Sequence, residues 1–217
     1  MSMQAESGSS TRERLLEAAG EVFAEKGFRK ATVREIVGRA GANLSAVNYH
    51  FRDKQGLYQA VLEWGHKSLA EDEELRRARD ARLAPEQRLR AFVLGFLLRG
   101  LSTERRPHYA RLMAMEMAEP TTILEMVVER FIRPRFELLV SIVRGVVGNN
   151  LPRRTLELCA ESIVGQCVHL VHGRPIIVRV MPHLSYSRED IERLAEHVTQ
   201  FCLAALKHLP AQPGGAK

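Results

Sequence analysis

Long apolar runs and paired cysteines are scarce in this chain of 217 residues, and each shortage excludes a class of protein. No apolar stretch approaches the roughly 18 residues that a membrane-spanning helix needs. The start, MSMQAESGSS, has neither the positive nor the apolar region of a signal peptide. The three cysteines, Cys159, Cys167 and Cys202, are an odd set within apolar helical patterns. We therefore expect neither secretion nor membrane insertion, and a reducing cytoplasm as the setting.

Acidic side chains are outnumbered by basic ones. The chain has 32 Lys and Arg against 26 Asp and Glu, a formal net charge of +6. A basic balance favours a polyanionic partner, although a basic protein without such a partner is the alternative. The length is sufficient for one small and one larger domain.

Helical periodicity covers nearly the whole chain. Apolar residues recur at helical spacing over 11–26, and Gly27 follows as a stop. Thr32 and Glu35 have the spacing of a capping box, which predicts the start of a second helix. Gly41 ends that helix within about two turns.

The later helices have equally clear boundaries. Asn43 can cap a third helix, Asp53 a fourth over 54–82, and Ser187 the last one. The β-branched run at 176–180 is predicted to be helix or buried loop, because a lone strand would have no partner. We expect an all-α fold of about nine helices. Further helix boundaries are predicted at Pro85, Pro107, Pro120, Pro152, the Gly148-Asn149-Asn150 turn and the Gly173-Arg174-Pro175 break.

Two short helices joined by a glycine turn give residues 32–51 the form of a helix-turn-helix. Their apolar side chains can pack inward against the first helix. This segment therefore predicts binding of double-stranded DNA, and the alternative is a three-helix core whose charges are only solvated. The side chains that remain outside and suit a major groove are Arg34, Leu44, Ser45, Ala46, Asn48, Tyr49 and His50.

Three segments carry a family resemblance. FAEKGF at 23–28, TVREI at 32–36 and GANLSAVNYHFRDK at 41–54 follow one another at a characteristic spacing. Together they resemble the N-terminal signature of TetR-family transcriptional regulators. The resemblance implies an all-helical homodimer that represses genes until a small-molecule effector binds its divergent C-terminal domain. Neither a cofactor nor a metal is implied.

Composition, periodicity and the resemblance together predict a division into domains. We expect a disordered N-terminus at 1–10, a helix-turn-helix DNA-binding domain at 11–56, a ligand-binding and dimerisation domain at 57–209, and a disordered tail at 210–217.

Individual DNA contacts follow from the resemblance position by position. It implies phosphate contacts from Thr32 and Tyr49, from Lys54 beside the fourth helix, and from His50, which alternatively supports the turn. Asn48 suits a bidentate pair with adenine. Because several of these residues differ from the usual family pattern, base preferences do not transfer. The side chains that would face bases are Leu44, Ser45, Ala46 and Asn48, and those that differ are Leu44, Ser45 and Asn48.

The helices after Pro85 carry bulky apolar residues that either line an effector cavity or fill a core. The segments 165–167 and 173–175 and the Pro182 loop are similar to a TetR subgroup tied to drug sensitivity and efflux control. That similarity implies a hydrophobic or aromatic effector. The candidate lining residues are Phe92, Phe96, Tyr109, Met113, Met117, Phe131, Phe136, Gln166, Cys167 and Leu170.

Other interpretations of the C-terminal part stay open. His169 and His172 are helical neighbours that Cys167 and His183 can join in a metal sensor. A cysteine redox switch and a helical adaptor for an acidic protein are further alternatives. We expect no enzyme, because no nucleophile–base pair or phosphate loop is found.

The last helix has an apolar surface wider than one contact requires, which predicts a subunit interface. Together with 156–171 it would form a four-helix interface between two copies, whose two-fold symmetry requires a pseudo-palindromic operator with half-sites about 34–36 Å apart or a multiple. The alternative is a helix that only covers its own core. The proposed interface residues are Leu194, Val198, Phe201, Cys202 and Ala205.

Overall fold

The computed structural model describes residues 10–68, 73–101, 108–148 and 151–209, which are all helix, turn or loop. Because α8, the π segment and α9 are continuous, these ranges hold eleven helices instead of the expected nine or so. The elements are α1 (Thr11–Lys30), α2 (Val33–Ala40), α3 (Leu44–Phe51), α4 (Lys54–Ser68), α5 (Glu73–Arg79), α6 (Pro85–Leu101), α7 (His108–Ala118), α8 (Leu124–Val127), the π segment (Val128–Ile132), α9 (Arg133–Val147), α10 (Arg153–His172), α11 (Arg174–Val180) and α12 (Arg188–Lys207).

Local capping explains where the first helices begin and end. The Thr32 hydroxyl accepts from the Glu35 amide at 3.3 Å, but the Glu35 carboxylate pairs with Lys26 at 2.6 Å, so only half of the predicted capping box forms. Gly41 ends α2 in the left-handed conformation, with φ of 58°. The predicted side-chain caps of α3, α4 and α12 are confirmed, and they are Asn43, Asp53 and Ser187.

Two boundaries differ from the prediction. Gly27, with φ of 75°, bends α1 instead of stopping it, and helical structure resumes as far as Lys30. The predicted fourth helix crosses residues 69–72, which lie outside the described ranges. Its predicted end at Arg82 is wrong, because the Asp80 carboxylate accepts from the Arg82 amide at 3.0 Å in a local turn. Also outside those ranges lie Pro107, Asn149, Asn150, residues 1–9 and residues 210–217. Ser10, the last residue of the N-terminus expected to be disordered, is within them and caps α1.

The N-terminal core joins α1–α3 to the rest of the chain. Phe23, Phe28 and Tyr58 form an aromatic group, with ring centroids 4.8 and 5.0 Å from Tyr58. The core extends beyond residue 56 into α4 and takes side chains from α7 and α8. Packing therefore continues across the predicted boundary between 56 and 57. The completing residues are Leu57, Tyr58, Val61, Leu62, Leu112, Ile123 and Val127.

The second core is organised around α6, which packs against α5, α9, α10 and α12. The run at 176–180 is helical, as α11, and Ile177 points into this core. None of the helices within the described ranges is long and apolar enough to cross a membrane.

Candidate nucleic-acid interface

The exposed face of the helix-turn-helix coincides with the predicted DNA-facing set. Val47 and Phe51 are buried beneath α3, while Tyr49 is 85% exposed on the opposite side. Ala46 is half-buried at the edge of this face. The outer face of α3 therefore presents an apolar group, a hydroxyl and an amide. The exposed members are Thr32, Arg34, Leu44, Ser45, Asn48, Tyr49 and His50.

Ion pairs hold α2 against α1, next to the turn that leads to α3. The Arg39 guanidinium donates to Glu25 at 2.8 and 3.0 Å and to Glu21 at 3.4 Å. Its hydrogen bond lowers the pKa of Glu25. Arg14 donates from Nε to the Ala40 carbonyl at 3.3 Å, at the end of α2. These contacts join α2 to α1, and none of them uses a side chain on the outer face of α3.

The Lys54 ammonium group has contacts within the protein, whereas the resemblance implies that it contacts a DNA phosphate. Its Nζ donates to the Arg29 carbonyl at 3.2 Å and lies 4.7 Å from the Phe28 ring centroid. Burial lowers the pKa of Lys54. In this structure the ammonium group therefore stabilises the end of α1. Sequence reasoning missed Arg12, an exposed cation 5.6 Å from the Phe51 ring at the end of α3.

The predicted cavity residues do not converge on one pocket. Phe92 and Cys167 are buried in the second core, whereas Met113 packs against the N-terminal core and Met117 is 58% exposed. The Gln166 amide donates to Cys202 Sγ at 3.3 Å. The other candidates on the second core are half-buried, and they are Phe96, Phe136 and Leu170.

A cleft of ≈ 410 Å³ lies between α9 and α10. Phe136 is the one predicted cavity residue that lines it. Arg153 donates to Glu137 at 2.6 Å and to Glu157 at 2.7 Å, so ion pairs dominate its wall. This lining does not fit the expected hydrophobic effector. Its residues are Arg133, Phe136, Glu137, Arg153, Arg154, Glu157, Leu158 and Glu161.

A buried polar centre brings α4, α7, the π segment and α9 together. His66 is 2% exposed and stacks on Phe131 with ring centroids 4.4 Å apart. Its Nε2 lies 2.7 Å from the Tyr109 hydroxyl, and its Nδ1 lies 3.0 Å from Arg135 Nη1. Tyr109 and Phe131 belong to the predicted cavity set, but His66 and Arg135 were missed. We call these four residues the His66 centre.

The His66 centre predicts a pH dependence of stability. Burial, followed by the charges of Arg135 and Arg99, lowers the pKa of His66 from 6.5 to about 3. Between these values the unfolded chain binds a proton that the folded protein rejects, so stability is lost as the pH falls below 6.5. We expect a loss of about 2 kcal/mol by pH 5 from this residue.

Urea unfolding of wild type and His66→Gln at pH 7 and pH 5 measures this contribution. We expect the variant to be less stable at pH 7 but to lose less on acidification. His197→Gln, at an exposed position of α12, is the control and keeps the wild-type dependence because His66 is intact. Equal losses in wild type and His66→Gln would contradict the assignment.

A second buried network links α4 to the corner between α7 and α8. The Tyr58 hydroxyl donates to Glu116 Oε1 at 2.7 Å. The backbone amide of Thr121 donates to Glu116 Oε2 at 3.0 Å, and its hydroxyl lies at 3.0 Å from Oε1. Burial, then the contact with Glu116, raises the pKa of Tyr58. We call this arrangement the Glu116 network.

The geometry gives little support to the two alternatives of a metal site and a redox-active cysteine. Across the described ranges no three His, Cys, Asp or Glu side chains are grouped to hold a metal. Cys167 is buried, whereas His169 and His183 are exposed. Burial raises the pKa of Cys167 to about 12 and also raises the pKa of Cys202, so both stay protonated thiols near neutral pH.

The predicted interface residues of α12 divide between two faces. Val198 and Cys202 are buried in the subunit's own core, so these two assignments to a subunit interface are corrected. Helical periodicity could not separate them, because the apolar surface of α12 extends from the buried side to the exposed Phe201 and Ala205. Phe201 is 61% exposed, Ala205 is exposed and Leu194 is half-buried, and these three remain candidates.

Two family profiles match complementary parts of the chain. The profile of bacterial regulatory proteins of the tetR family matches residues 15–61, and the C-terminal domain profile of the HTH-type transcriptional dual regulator CecR matches residues 85–206. The HTH-type transcriptional dual regulator CecR of Shigella flexneri is 25% identical over 200 residues, which are 88% of this chain and 89% of that protein.

Solved structures share the fold. The fatty acid degradation regulator FadR from Bacillus halodurans has a TM-score of 0.68 and 19% identity, covering 95% of this chain and 100% of that one. SmeT, the repressor of the Stenotrophomonas maltophilia multidrug efflux pump SmeDEF, has a TM-score of 0.63 and 23% identity, covering 96% of each chain. These identities establish similarity of fold alone.

Proposed function

Since the chain belongs to the TetR family of transcriptional regulators, with a C-terminal domain of the CecR type, we propose that it is a ligand-responsive repressor. It binds a pseudo-palindromic operator as a cytoplasmic homodimer and releases the DNA when a small molecule binds the C-terminal domain. The observation that carries the proposal is the outer face of α3, where Leu44, Ser45, Asn48 and Tyr49 stand exposed over a buried core.

Dimerisation would use the exposed side of α12 together with α10, which pack against each other. Phe201 and Leu158 are large apolar side chains left exposed on these two helices. A two-fold axis through this surface would give two copies of α3 related by symmetry. The operator would then repeat its half-sites about 34–36 Å apart, or a multiple of that distance.

Release requires coupling between the C-terminal domain and α3. The N-terminal core contains Leu112 of α7 and Val127 of α8, and the Glu116 network ties the same corner to α4. A ligand that shifts α7 would therefore change how α1 and α4 pack against it. Such coupling is reciprocal. If the bound effector lowers the affinity for DNA by some factor, bound DNA lowers the affinity for the effector by the same factor. To change a population that is mostly bound to the operator into one that is mostly free, the effector must bind the DNA-free conformation more favourably by several kcal/mol.

Two substitutions on α3 test which side chain of its outer face contacts a base and which contacts a phosphate. Asn48→Ala should lose about 1–3 kcal/mol of discrimination at one base position, because the amide pairs with a base edge. Tyr49→Phe should weaken binding by a similar factor to all sequences, because its hydroxyl would meet a phosphate. Gel-shift titrations against a set of single-position operator variants separate the two patterns. Uniform losses across the set for Asn48→Ala would refute its assignment.

A further inference from the structure

Arg52, the residue that follows α3, has a strained backbone. Its φ of 72° and ψ of −52° lie in a region that arginine rarely adopts and that glycine enters at little steric cost. The turn requires this conformation, because only Arg52 and Asp53 connect α3 to α4, and the Asp53 side chain caps α4. A Cβ added at Gly56 would lie 2.0 Å from the Phe51 carbonyl oxygen, which shows how closely α4 approaches the end of α3.

The fold does not use the side chain of Arg52. It is exposed, and no hydrogen bond or ion pair joins it to any other residue that the structure describes. The backbone amide of Arg52 donates to the Asn48 carbonyl at 3.1 Å, a bond that any residue except proline would make. The charge interacts favourably with the dipole of α3, but only modestly at an exposed position. Glycine would therefore suit the turn better, and strain of this kind is characteristic of functional positions.

A second exposed cation, Arg12, lies at the same end of α3. Its guanidinium carbon is 5.6 Å from the centroid of the Phe51 ring. Arg12 belongs to the first turn of α1, whose start is fixed by the capping box of Ser10 and Glu13, and the helix dipole disfavours a cation there. Over the residues with a described structure Arg12 forms no ion pair. We call Arg12 and Arg52 the α3-end arginines.

Other charged groups of α1–α4 are engaged in contacts of their own. The carboxylates of Glu21 and Glu25 accept from Arg39. The ammonium group of Lys54, at the start of α4, donates to the Arg29 carbonyl at 3.2 Å. The α3-end arginines lack such contacts, so their charges are available to an anion that approaches the end of α3.

We propose that the α3-end arginines bind phosphates of the operator backbone and so act as positioning residues for the base contact of Asn48. Tyr49 is 85% exposed and precedes Arg52 by three residues, a spacing that places both on one side of the last turn of α3. Contacts with phosphates fix the register of a protein on the duplex, whereas contacts with bases specify the sequence. This inference rests on the proposed function, to which it adds two DNA-binding residues.

Arg52→Gly separates a role in DNA binding from a role in folding. Glycine relieves the strained φ, so the melting temperature should rise or stay unchanged. Affinity for the DNA duplex upstream of its own gene should nevertheless fall by about tenfold, equally for all operator variants. Fluorescence anisotropy at several salt concentrations should also give a slope of log affinity against log salt that is shallower by about 0.9, the value for one phosphate contact.

Two further variants complete the test. Arg12→Gln should weaken binding and reduce the slope by the same amounts, because it removes the second phosphate contact. Arg52→Lys keeps the charge and should keep the wild-type slope. Arg144→Gln is the matched control, since it removes one charge from an exposed position on α9 and should leave affinity and slope unchanged.

An unaltered slope in Arg52→Gly or in Arg12→Gln would overturn the proposal, whatever the melting temperature. A loss of affinity confined to single operator positions would overturn it as well, because phosphate contacts do not depend on sequence. In either case salt-dependent binding by the wild type would leave the proposed function standing. Absence of DNA binding by the wild type would overturn both.

Discussion

Leu112→Ala is expected to lower the free energy of unfolding by about 3 kcal/mol and to loosen α1–α3, although Leu112 belongs to α7. The side chain is 1% exposed and packs in the core that also contains Phe23 and Val47. Its removal leaves a cavity that the surrounding helices fill only in part. Urea unfolding measures the loss in the free energy of unfolding, and hydrogen exchange of the α1–α3 amides shows whether these helices are loosened.

Met117→Ala is the matched control for this substitution. Met117 is on the same helix, and its side chain is 58% exposed, so we expect a change within about 0.5 kcal/mol. Hydrogen-exchange protection of the α1–α3 amides in Leu112→Ala equal to that in wild type would contradict a core that α7 shares with α1–α3. The regulatory coupling would then need another route.

Glu116→Ala is expected to lower the free energy of unfolding by about 3 kcal/mol or more, because it leaves the buried Tyr58 hydroxyl and the half-buried Thr121 amide without their acceptor. The carboxylate accepts from the Tyr58 hydroxyl at 2.7 Å and from the Thr121 amide at 3.0 Å. Glu116→Gln keeps one acceptor oxygen and should lose an intermediate amount. Urea unfolding measures both losses. Operator affinity should also fall, because α4 is no longer held at the corner between α7 and α8.

A double-substitution cycle assigns this cost to the contact itself. Tyr58→Phe removes the donor, so Glu116→Ala should cost less in the Tyr58→Phe background than in wild type. Glu119→Ala is the control, because this glutamate is exposed just beyond α7. The network has no structural role if Glu116→Ala and Glu119→Ala prove equally stable.

Local signals allowed much of the N-terminal half to be predicted. The caps at Thr32, Asn43 and Asp53 need only a side chain and an amide three residues away, and a single sequence shows that spacing. Ser10 and Glu13 form a full capping box with the same spacing, at 3.0 and 3.2 Å, and it was missed although the pattern is visible. The exposed face of α3 could also be predicted from a local pattern, because helical periodicity places Val47 on the buried side and Asn48 on the exposed side.

The errors came from contacts between distant segments. Periodicity shows that α12 has a wide apolar surface, but only the fold shows that Val198 and Cys202 face the subunit's own core. The His66 centre joins residues up to 69 positions apart, so no local pattern identifies His66 and Arg135 as partners. The π segment lies within a continuous helix, and Pro134 follows just beyond it in the first turn of α9. A proline in the sequence does not distinguish a π turn from an ordinary helix start, so the π segment could not be predicted.

The central claim is that the outer face of α3 binds operator DNA. A fluorescence anisotropy titration of the full-length protein against the DNA upstream of its own gene tests it directly. Raising the salt from about 50 to about 200 mM should weaken binding by at least about a hundredfold, because phosphate contacts release counterions. Tyr49→Phe should bind more weakly at every salt concentration. No binding, or an affinity independent of salt, would contradict the account.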